Sequence, residues 1–462
     1  MAKHLLLANV GNRDLMLASQ EIRPARTKGQ EILDRFAEHR KELSLPILGP
    51  VIRSIQDDDP ETQVDLVLFC TNQEGAEEKF QVNDTLLFGE CIKKLLSGQR
   101  PVGKVTLREI RTNPNLYDSM FHHFSEELAR WQGRHDEYEK VFVSLAGGIP
   151  ACNMMLCLQA VRVFGERCIP SYPVEGSERA VPLQIGSQLL ESAKRDIVRQ
   201  RLENYEYAAA AALLDDLGLK LQADVARLAL YRLNFDFRRA KALTAALVAR
   251  DMGAVRNYGL KVESELNRLL EKNLSHLILE LYHNAAIKFR KEEYLDFLGR
   301  LFRFQEAVLR YIVETSELAL QTNIDKDGRH FSTFQASVRR HQNLVDYLEQ
   351  QTYKGDKLDW AEPYNPCLMA ILRYLAEQGA QEKHGQRAEV LTRLREIEQL
   401  MPLRHKSPLG HGFEGVSLEA IHEKVVGFSP ERLRDVLRDI GLSGNADNPY
   451  DKVNALIVRA LL

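Results

Sequence analysis

Cysteine is scarce in this chain of 462 residues, and long apolar runs are missing from it. The six cysteines form no C-x-x-C pair and most lie in apolar segments, so we expect reduced, buried thiols and no zinc site. No stretch of about 18 apolar residues occurs, which predicts no membrane span. The N-terminus, MAKHLLLANVGNRD, becomes polar too early for a signal peptide. Together these absences predict a cytoplasmic protein.

A strong charge of either sign is also missing. The net charge of -3 is not typical of a dedicated duplex-DNA binder, although a local basic patch remains compatible with RNA binding. The hydrophobic content of 44% is that of an ordinary globular protein, and the length allows two or three domains. Composition therefore predicts a multidomain globular protein and does not select its ligand.

Strand and helix patterns alternate in residues 1–186. Apolar runs predict strands at His4–Val10, Val64–Thr71, Val102–Ile110, Lys140–Leu145 and Arg167–Tyr172, with Val181–Ile185 as a further candidate. Helical periodicity lies between them, at Gln30–Leu43, Asp84–Leu96 and Leu116–Trp131. Continuous apolar strands separated by helices indicate a mainly parallel sheet covered on both faces. The first half is therefore predicted to be a Rossmann-like α/β domain.

Two strand ends in this half carry glycine turns that suit an anion. The first strand leads into Asn9–Asp14, and a later one leads into Ser144–Asn153, where Pro150 fits the first turn of a helix. Glycines let backbone amides approach a phosphate, and a helix N-terminus favours negative charge. Neither turn matches G-x-G-x-x-G and neither has a P-loop lysine, so a nicotinamide cofactor or ATP is not favoured. Two ligand-free turns remain the alternative, with Arg13 in an exposed salt bridge.

Residues 187–462 read as helical, which predicts an all-α second domain. Long helices are expected at Ser192–Leu217, Ala223–Tyr231, Phe237–Ala249, Val255–Phe289 and Lys291–Gln321. His276, Glu280 and His283 share one helical face at a spacing that a cation could use, but a packed or solvated face is the favoured interpretation.

The segment LRHKSPLGHGF, Leu403–Phe413, brings an arginine and a histidine close together. Periodicity predicts that Arg404 ends one helix, that Pro408 interrupts it, and that Ser417 caps the next. An imidazole transfers protons near neutral pH, and a guanidinium stabilises charge on phosphate oxygens. Arg404 and His411 are thus candidates for metal-free RNA cleavage through the 2′-hydroxyl. A chance pairing in a polar loop is the alternative.

Both halves resemble one family. The turns at Asn9–Asp14 and Ala146–Ala151, with the strand end Phe69–Asn72, resemble a CARF domain, the sensor of CRISPR-associated proteins. Arg404, six residues and His411 resemble the motif of HEPN ribonucleases, with His405 where the family often has asparagine. The order of sensor, helical connector and HEPN motif covers essentially the whole chain and is similar to that of ancillary ribonucleases of type III CRISPR systems. It implies a CARF-like sensor at residues 1–186, and a helical connector and HEPN domain at residues 187–462.

The resemblance also implies a mechanism. A cyclic oligoadenylate, tetra- or hexa-adenylate, would bind across two sensors of a homodimer and activate the paired HEPN domains. These would cut single-stranded RNA without a metal or cofactor and leave a 2′,3′-cyclic phosphate, with Arg404, His411 and His405 as catalytic residues. The implied activator-binding residues are Asn9, Gly11, Asn12, Arg13, Thr71, Asn72, Gly147, Gly148, Ile149, Pro150 and Asn153. The first loop offers Asn9 and Asn12 where some relatives use a hydroxyl, which does not favour cleavage of the activator.

Two other classes stay open. A CARF-containing regulator without enzyme activity would need a DNA-reading helix, and Leu418–Leu442 could form a helix-turn-helix with Arg432, Arg434 and Arg438 on its second helix. That interpretation leaves Arg404 and His411 without a role. A dinucleotide-dependent oxidoreductase lacks its glycine fingerprint and has no counterpart for the helical half.

Overall fold

A computed structural model of the chain describes residues 3–75, 77–131, 137–174, 176–250, 253–323, 331–442 and 447–461. The chain divides into two compact units, Met1–Lys194 and Arg195–Leu462. The domain boundary predicted after residue 186 stays a prediction, because a single helix, Ile185–Glu203, contains both that position and the division at residue 194.

The N-terminal unit is built on a six-stranded sheet. The strands of this unit, which belong to two sheets, are β1 (Lys3–Asn9), β2 (Met16–Leu17), β3 (Gln20–Glu21), β4 (Leu43–Ser44), β5 (Gln63–Thr71), β6 (Val102–Ile110), β7 (Lys140–Ser144), β8 (Cys168–Pro173) and β9 (Ala180–Pro182). The main sheet has the order β6-β5-β1-β7-β8-β9, and only β9 pairs in the antiparallel sense. The predicted mainly parallel sheet is confirmed. A second, three-stranded sheet of β3, β2 and β4 was not predicted.

Helices cover both faces of this sheet, as continuous apolar strands require. They are α1 (Ala25–Asp34), α2 (Phe36–His39), α3 (Leu48–Asp58), α4 (Glu78–Gln81), α5 (Leu86–Leu96), α6 (Tyr117–Ala129) and α7 (Pro150–Phe164). Successive residues of β1 alternate between two cores: Leu6 packs with α1, α3 and α5, whereas Leu5 packs with α6 and α7. The single helix predicted at Gln30–Leu43 is wrong, since α1, α2 and β4 divide that segment.

The second unit is helical apart from one short hairpin among its described residues. After α8 (Ile185–Glu203) its elements are α9 (Tyr207–Asp216), α10 (Lys220–Leu233), α11 (Phe237–Arg250), α12 (Ala254–Leu270), α13 (Leu274–Arg290), α14 (Tyr294–Thr315), α15 (Ser332–Arg339), α16 (Gln342–Glu349), β10 (Thr352–Tyr353), β11 (Asp356–Lys357), α17 (Asn365–Gln378), α18 (His384–Glu398), α19 (Met401–Lys406), α20 (Leu418–Lys424), α21 (Glu431–Asp439) and α22 (Pro449–Ala460). One core joins α8 to α13 with α22, and another joins α13 to α21.

Two long helices predicted in this unit are in fact pairs. The segment predicted as Ser192–Leu217 breaks at Tyr205, and Val255–Phe289 breaks at Lys272; both residues have left-handed backbones, with φ of 54° and 57°. Asn273 then caps α13 by accepting a hydrogen bond from the His276 amide at 3.3 Å. Within the described ranges, no helix combines the length and apolarity needed to cross a bilayer.

Candidate functional site

The Arg404–His411 segment folds back on the short helix α19. Arg404 lies in the last turn of α19, and the backbone amide of His411 donates a hydrogen bond to the carbonyl oxygen of His405 at 3.0 Å. The amide of Glu414 likewise donates to the Lys406 carbonyl at 2.9 Å. The predicted helix end at Arg404 and the predicted cap at Ser417, which accepts from the Ala420 amide at 3.2 Å, are present. The preceding helix α18 ends at Glu398, and α19 is a separate helix.

Two glycines make this return possible. A Cβ atom on Gly412 would lie 1.9 Å from the carbonyl oxygen of Lys406, and one on Gly410 would lie 2.7 Å from that of Arg404. The buried Ser407 fixes the turn, since its hydroxyl donates to the Arg404 carbonyl at 2.8 Å. Backbone contact therefore holds the arginine-bearing and histidine-bearing segments together, while the side chains of His405 and His411 are exposed.

Arg404 and His405 line a cleft of about 1030 Å³ within the helical unit. The Arg404 guanidinium carbon lies 5.5 Å from the centre of the Phe302 ring, a cation–π contact that orients it. Other polar, charged and aromatic groups share the cleft: Arg303, Glu306, Arg310, Tyr353, Lys354, Tyr364 and Glu398. Burial raises the pKa of the Glu398 carboxyl. The cleft thus combines cations with aromatic faces, the groups that single-stranded nucleic acid contacts. His411 is not among its lining residues.

A second candidate site lies in the N-terminal unit, outside the carboxyl ends of β1, β5 and β7. Strand order reverses around β1, and ligands of open α/β sheets bind at such a switch point. A cavity of about 170 Å³ occupies this place. Predicted activator-binding residues that line it are Asn9, Gly11, Asn12, Thr71, Gly148 and Ile149. The structure thus brings both glycine turns and the end of β5 to one cavity.

The two glycine turns contact each other directly through their backbones. A Cβ atom on Gly11 would lie 2.1 Å from the Gly148 amide nitrogen, and Gly147 and Gly148 have positive φ values of 80° and 65°. Asn153 joins the turns by accepting from the Asn9 side-chain amide at 2.9 Å and donating to the Gly147 carbonyl. These close approaches require glycine, because a side chain would separate the two turns. The backbone amides of Gly11 and Gly148 consequently lie at the cavity.

Asp14 contacts both glycine turns, and the sequence analysis did not predict it as a residue of this site. Its fully buried carboxylate accepts a hydrogen bond from the Gly11 amide at 2.7 Å, and a Cβ atom on Gly147 would lie 2.2 Å from Oδ2. Burial raises the pKa of Asp14 from 3.8 to about 8, although the Gly11 amide and Arg13 oppose the shift. An isolated aspartate in a loop gives no sequence signal of such burial.

The remaining predicted residues of this site lie outside the lining of the cavity. Arg13 is exposed, Pro150 begins α7, and Asn72 is buried with its side-chain amide donating to Glu109 at 3.0 Å. The structure adds Asn83 and Thr85 to the cavity. The Thr85 hydroxyl accepts from the Thr71 amide at 3.1 Å, so the residue that precedes α5 contacts the end of β5.

Two other sequence candidates are engaged in structural contacts. Glu280 is buried and bound by Arg232, whose guanidinium donates at 2.7 Å and 3.0 Å, and by the Tyr450 hydroxyl at 2.5 Å. It therefore belongs to an ion pair in the core. Among the described residues, no group of three or more His, Cys, Asp or Glu side chains is arranged to hold a metal ion. On α21, Arg432 pairs with Glu396 at 2.5 Å and Arg438 pairs with Asp435 at 3.0 Å.

Comparison with known proteins gives a family for the helical unit and a fold for the whole chain. The model of the family described as "Cas_Csm6 HEPN domain" matches residues 268–458. The Csm6 of Enterococcus italicus, solved bound to cyclic hexa-2′-fluoro-hexa-dAMP, shares the fold with a TM-score of 0.59, 15% identity and coverage of 100% of each chain. Residues 268–458 are therefore similar to the HEPN domain of Csm6 proteins, and the chain as a whole has the fold of the Enterococcus italicus Csm6. No curated protein matches it.

The matched HEPN region contains Arg404, His411 and every residue of the 1030 Å³ cleft. The predicted fold class, a Rossmann-like α/β domain with a mainly parallel sheet followed by a helical HEPN domain, is confirmed. The family and the fold together support an ancillary ribonuclease of type III CRISPR systems.

Proposed function

We propose that this CARF–HEPN protein is an endoribonuclease that cuts single-stranded RNA when a cyclic oligoadenylate binds its CARF domain. The observation that carries the proposal is the return of the His411 segment onto α19, where Arg404 lines the large cleft. An imidazole and a guanidinium held on one backbone unit are the groups that cleavage through the 2′-hydroxyl uses.

In the proposed reaction, His411 accepts the proton of the RNA 2′-hydroxyl, and the oxygen attacks the adjacent phosphorus. Arg404 stabilises the negative charge that develops on the phosphorane oxygens. The bond to the 5′-oxygen breaks, and that oxygen takes up a proton from an imidazolium. The products are a 2′,3′-cyclic phosphate and a 5′-hydroxyl, with no metal ion needed. His405, exposed beside Arg404 in the cleft, is proposed to hydrogen-bond the phosphate.

Activation is proposed to involve a homodimer. The cavity of about 170 Å³ is smaller than the ~300–1,000 Å³ of an ordinary small-molecule site, so a tetra- or hexa-adenylate ring extends beyond it. A two-fold partner would supply a second, identical set of glycine turns. The ligand can favour the active dimer state only to the extent that it binds that state more tightly than the inactive one. Such coupling free energies are typically ~1–3 kcal/mol. The ligand of the Enterococcus italicus Csm6, a cyclic hexanucleotide, supports this class of activator.

The test is an RNA cleavage assay in EDTA with cyclic tri-, tetra- or hexa-adenylate added in turn. We expect one of the larger rings to trigger cleavage, products ending in a 2′,3′-cyclic phosphate by mass spectrometry, and loss of about 10²–10⁴-fold in rate in His411→Ala. His122→Ala, which removes an exposed histidine of the N-terminal unit, serves as the matched control. Equal cleavage by His411→Ala and the parent would reject the assignment.

A DNA-binding regulator remains the second candidate, and it has less support. Arg432 and Arg438, which would read DNA in that case, are held in ion pairs within the domain. Retention of duplex DNA by the protein, with no RNA cleavage under any activator, would favour it.

A further inference from the structure

The hairpin of β10 and β11 presents a lysine in an unusual backbone conformation. Thr352 pairs with Lys357 and Tyr353 with Asp356, so Lys354 and Gly355 are the two central residues of the turn. Both have positive φ, 52° and 95°, as a two-residue type I′ turn requires. Glycine and asparagine are usual at the first of these positions, whereas lysine rarely adopts this conformation. Such outliers concentrate where a side chain has a task that outweighs the strain.

The base of the hairpin is anchored while its tip is exposed. Leu358 is buried in the core of the helical unit, and its amide donates to the Gln351 carbonyl at 3.0 Å. Tyr353 is 44% exposed, so its ring is accessible to a ligand. The Lys354 ammonium lies 5.4 Å from the centre of the Tyr353 ring. An aromatic face and a cation are thus held together on a rigid support.

Tyr353 and Lys354 line the same cleft as Arg404 and His405. Arg303, which also lines it, pairs with Glu306 at 2.7 Å, but no acidic partner of Lys354 occurs among the described residues. A free ammonium next to an exposed ring matches the two repeating features of single-stranded nucleic acid, namely phosphates and stacked bases.

We propose that the hairpin Thr352–Lys357 is an RNA-binding element of the cleft, in which Tyr353 stacks on a base near the scissile phosphate and Lys354 contacts a backbone phosphate. The inference rests on the proposed ribonuclease function and assigns substrate-binding residues that the Arg404–His411 motif does not include. The hairpin is then expected to determine the affinity for RNA and to have little effect on the rate of the chemical step.

The test compares Tyr353→Ala, Tyr353→Phe and Lys354→Asn in the activated full chain. Removal of a stacking ring is expected to raise the KM for RNA by about 5- to 100-fold, with little change in kcat. Tyr353→Phe keeps the ring and should recover most of that loss. Lys354→Asn keeps a residue that tolerates positive φ and should reduce the slope of log affinity against log salt by about 0.7, the value for one phosphate on a single strand.

Two controls separate this inference from the proposed function. Tyr117→Ala removes a tyrosine of similar exposure, 50%, from the N-terminal unit and should leave KM unchanged. Anisotropy of a fluorescent RNA bound to the His411→Ala protein gives affinity without cleavage. If the parent cuts RNA while Tyr353→Ala and Lys354→Asn bind it as the parent does, the hairpin assignment is wrong and the ribonuclease function stands. A parent that neither cuts nor binds RNA would overturn both.

Discussion

The backbone amide of His411 donates a hydrogen bond to the carbonyl oxygen of His405, the residue that follows Arg404, at 3.0 Å. The segments that carry Arg404 and His411 are therefore joined by a main-chain hydrogen bond. This close approach of the His411 segment to α19 requires glycine at positions 410 and 412, because a side chain at either position would collide with the backbone of α19.

Substitution of Gly412 tests that coupling. In Gly412→Ala the new methyl group would lie 1.9 Å from the Lys406 carbonyl oxygen, so the His411 segment has to move. Because misplacement of catalytic groups by about 1 Å costs on the order of 10²-fold, we expect a loss of that size in RNA cleavage. Gly415→Ala is the matched control, since a Cβ atom there meets no described atom within 4 Å. Equal rates in the two variants would show that the return of the loop is not needed.

Arg404 should act on cleavage and not on activation. Arg404→Ala is expected to abolish cleavage while activator affinity, measured by calorimetry, stays close to that of the parent. Arg404→Lys keeps the charge but loses the planar fork that contacts two phosphate oxygens, so it should recover only a small part of the rate. A large loss of activator affinity in Arg404→Ala would contradict the role given to this residue.

Asp14 should make the N-terminal unit less stable as pH rises. Its pKa is 3.8 in the unfolded reference and about 8 when buried, so between these values the unfolded chain has lost a proton that the folded chain retains. Rising pH then favours unfolding, and the loss stops above the folded pKa. Asp14→Asn cannot ionise, and its stability advantage over the parent should grow from about pH 4 to about pH 8.

The measurement can be confined to this unit. The chain has two tryptophans, Trp131 and Trp360, so Trp360→Phe leaves a single fluorescence reporter in the N-terminal unit. Denaturant unfolding of that protein, with and without Asp14→Asn, gives the difference at each pH. Parallel pH profiles would mean that Asp14 is ionised in the folded chain.

The buried pair of Arg232 and Glu280 should contribute to the stability of the helical unit. Glu280→Ala leaves a guanidinium in the core without its partner, which typically costs about 3–5 kcal/mol. Asp196→Ala, which breaks an exposed pair with Arg199 in the same unit, should cost about 0–1 kcal/mol. Urea denaturation followed by circular dichroism measures both, and a similar small cost for the two variants would mean that water reaches the buried pair.

The parallel sheet was predictable from the sequence, whereas some of the divisions between helices were not. Each central strand has apolar residues on both faces, and β6 was predicted with its observed ends, Val102 and Ile110. Helix ends are usually marked by glycine, but here Tyr205, Phe235, Lys272 and Glu292 take the left-handed conformation between helices. The helices on either side of Phe235 and Glu292 were predicted as separate, but no local signal marks Tyr205 and Lys272, and there adjacent helices were merged.

In the cleft of the helical unit, the sequence predicted only residues that are close to one another along the chain. Arg404 and His411 are seven positions apart and were found directly. Tyr353 and Lys354 reach the same cleft through tertiary packing. Their hairpin was not predicted, because Lys-Gly is a weaker turn signal than Asn-Gly. Asp14 was missed for a related reason, since its burial depends on Gly147 from a distant part of the chain.

Ser407 is fully buried, and its hydroxyl and carbonyl oxygens accept from Leu409 and Gly410 while the hydroxyl donates to the Arg404 carbonyl. Two oxygen atoms of one small residue thus define the curvature of the loop, whereas the side chain of Phe413 is 95% exposed. The Phe413 side chain can therefore be replaced without loss of the loop's shape, whereas Ser407 cannot.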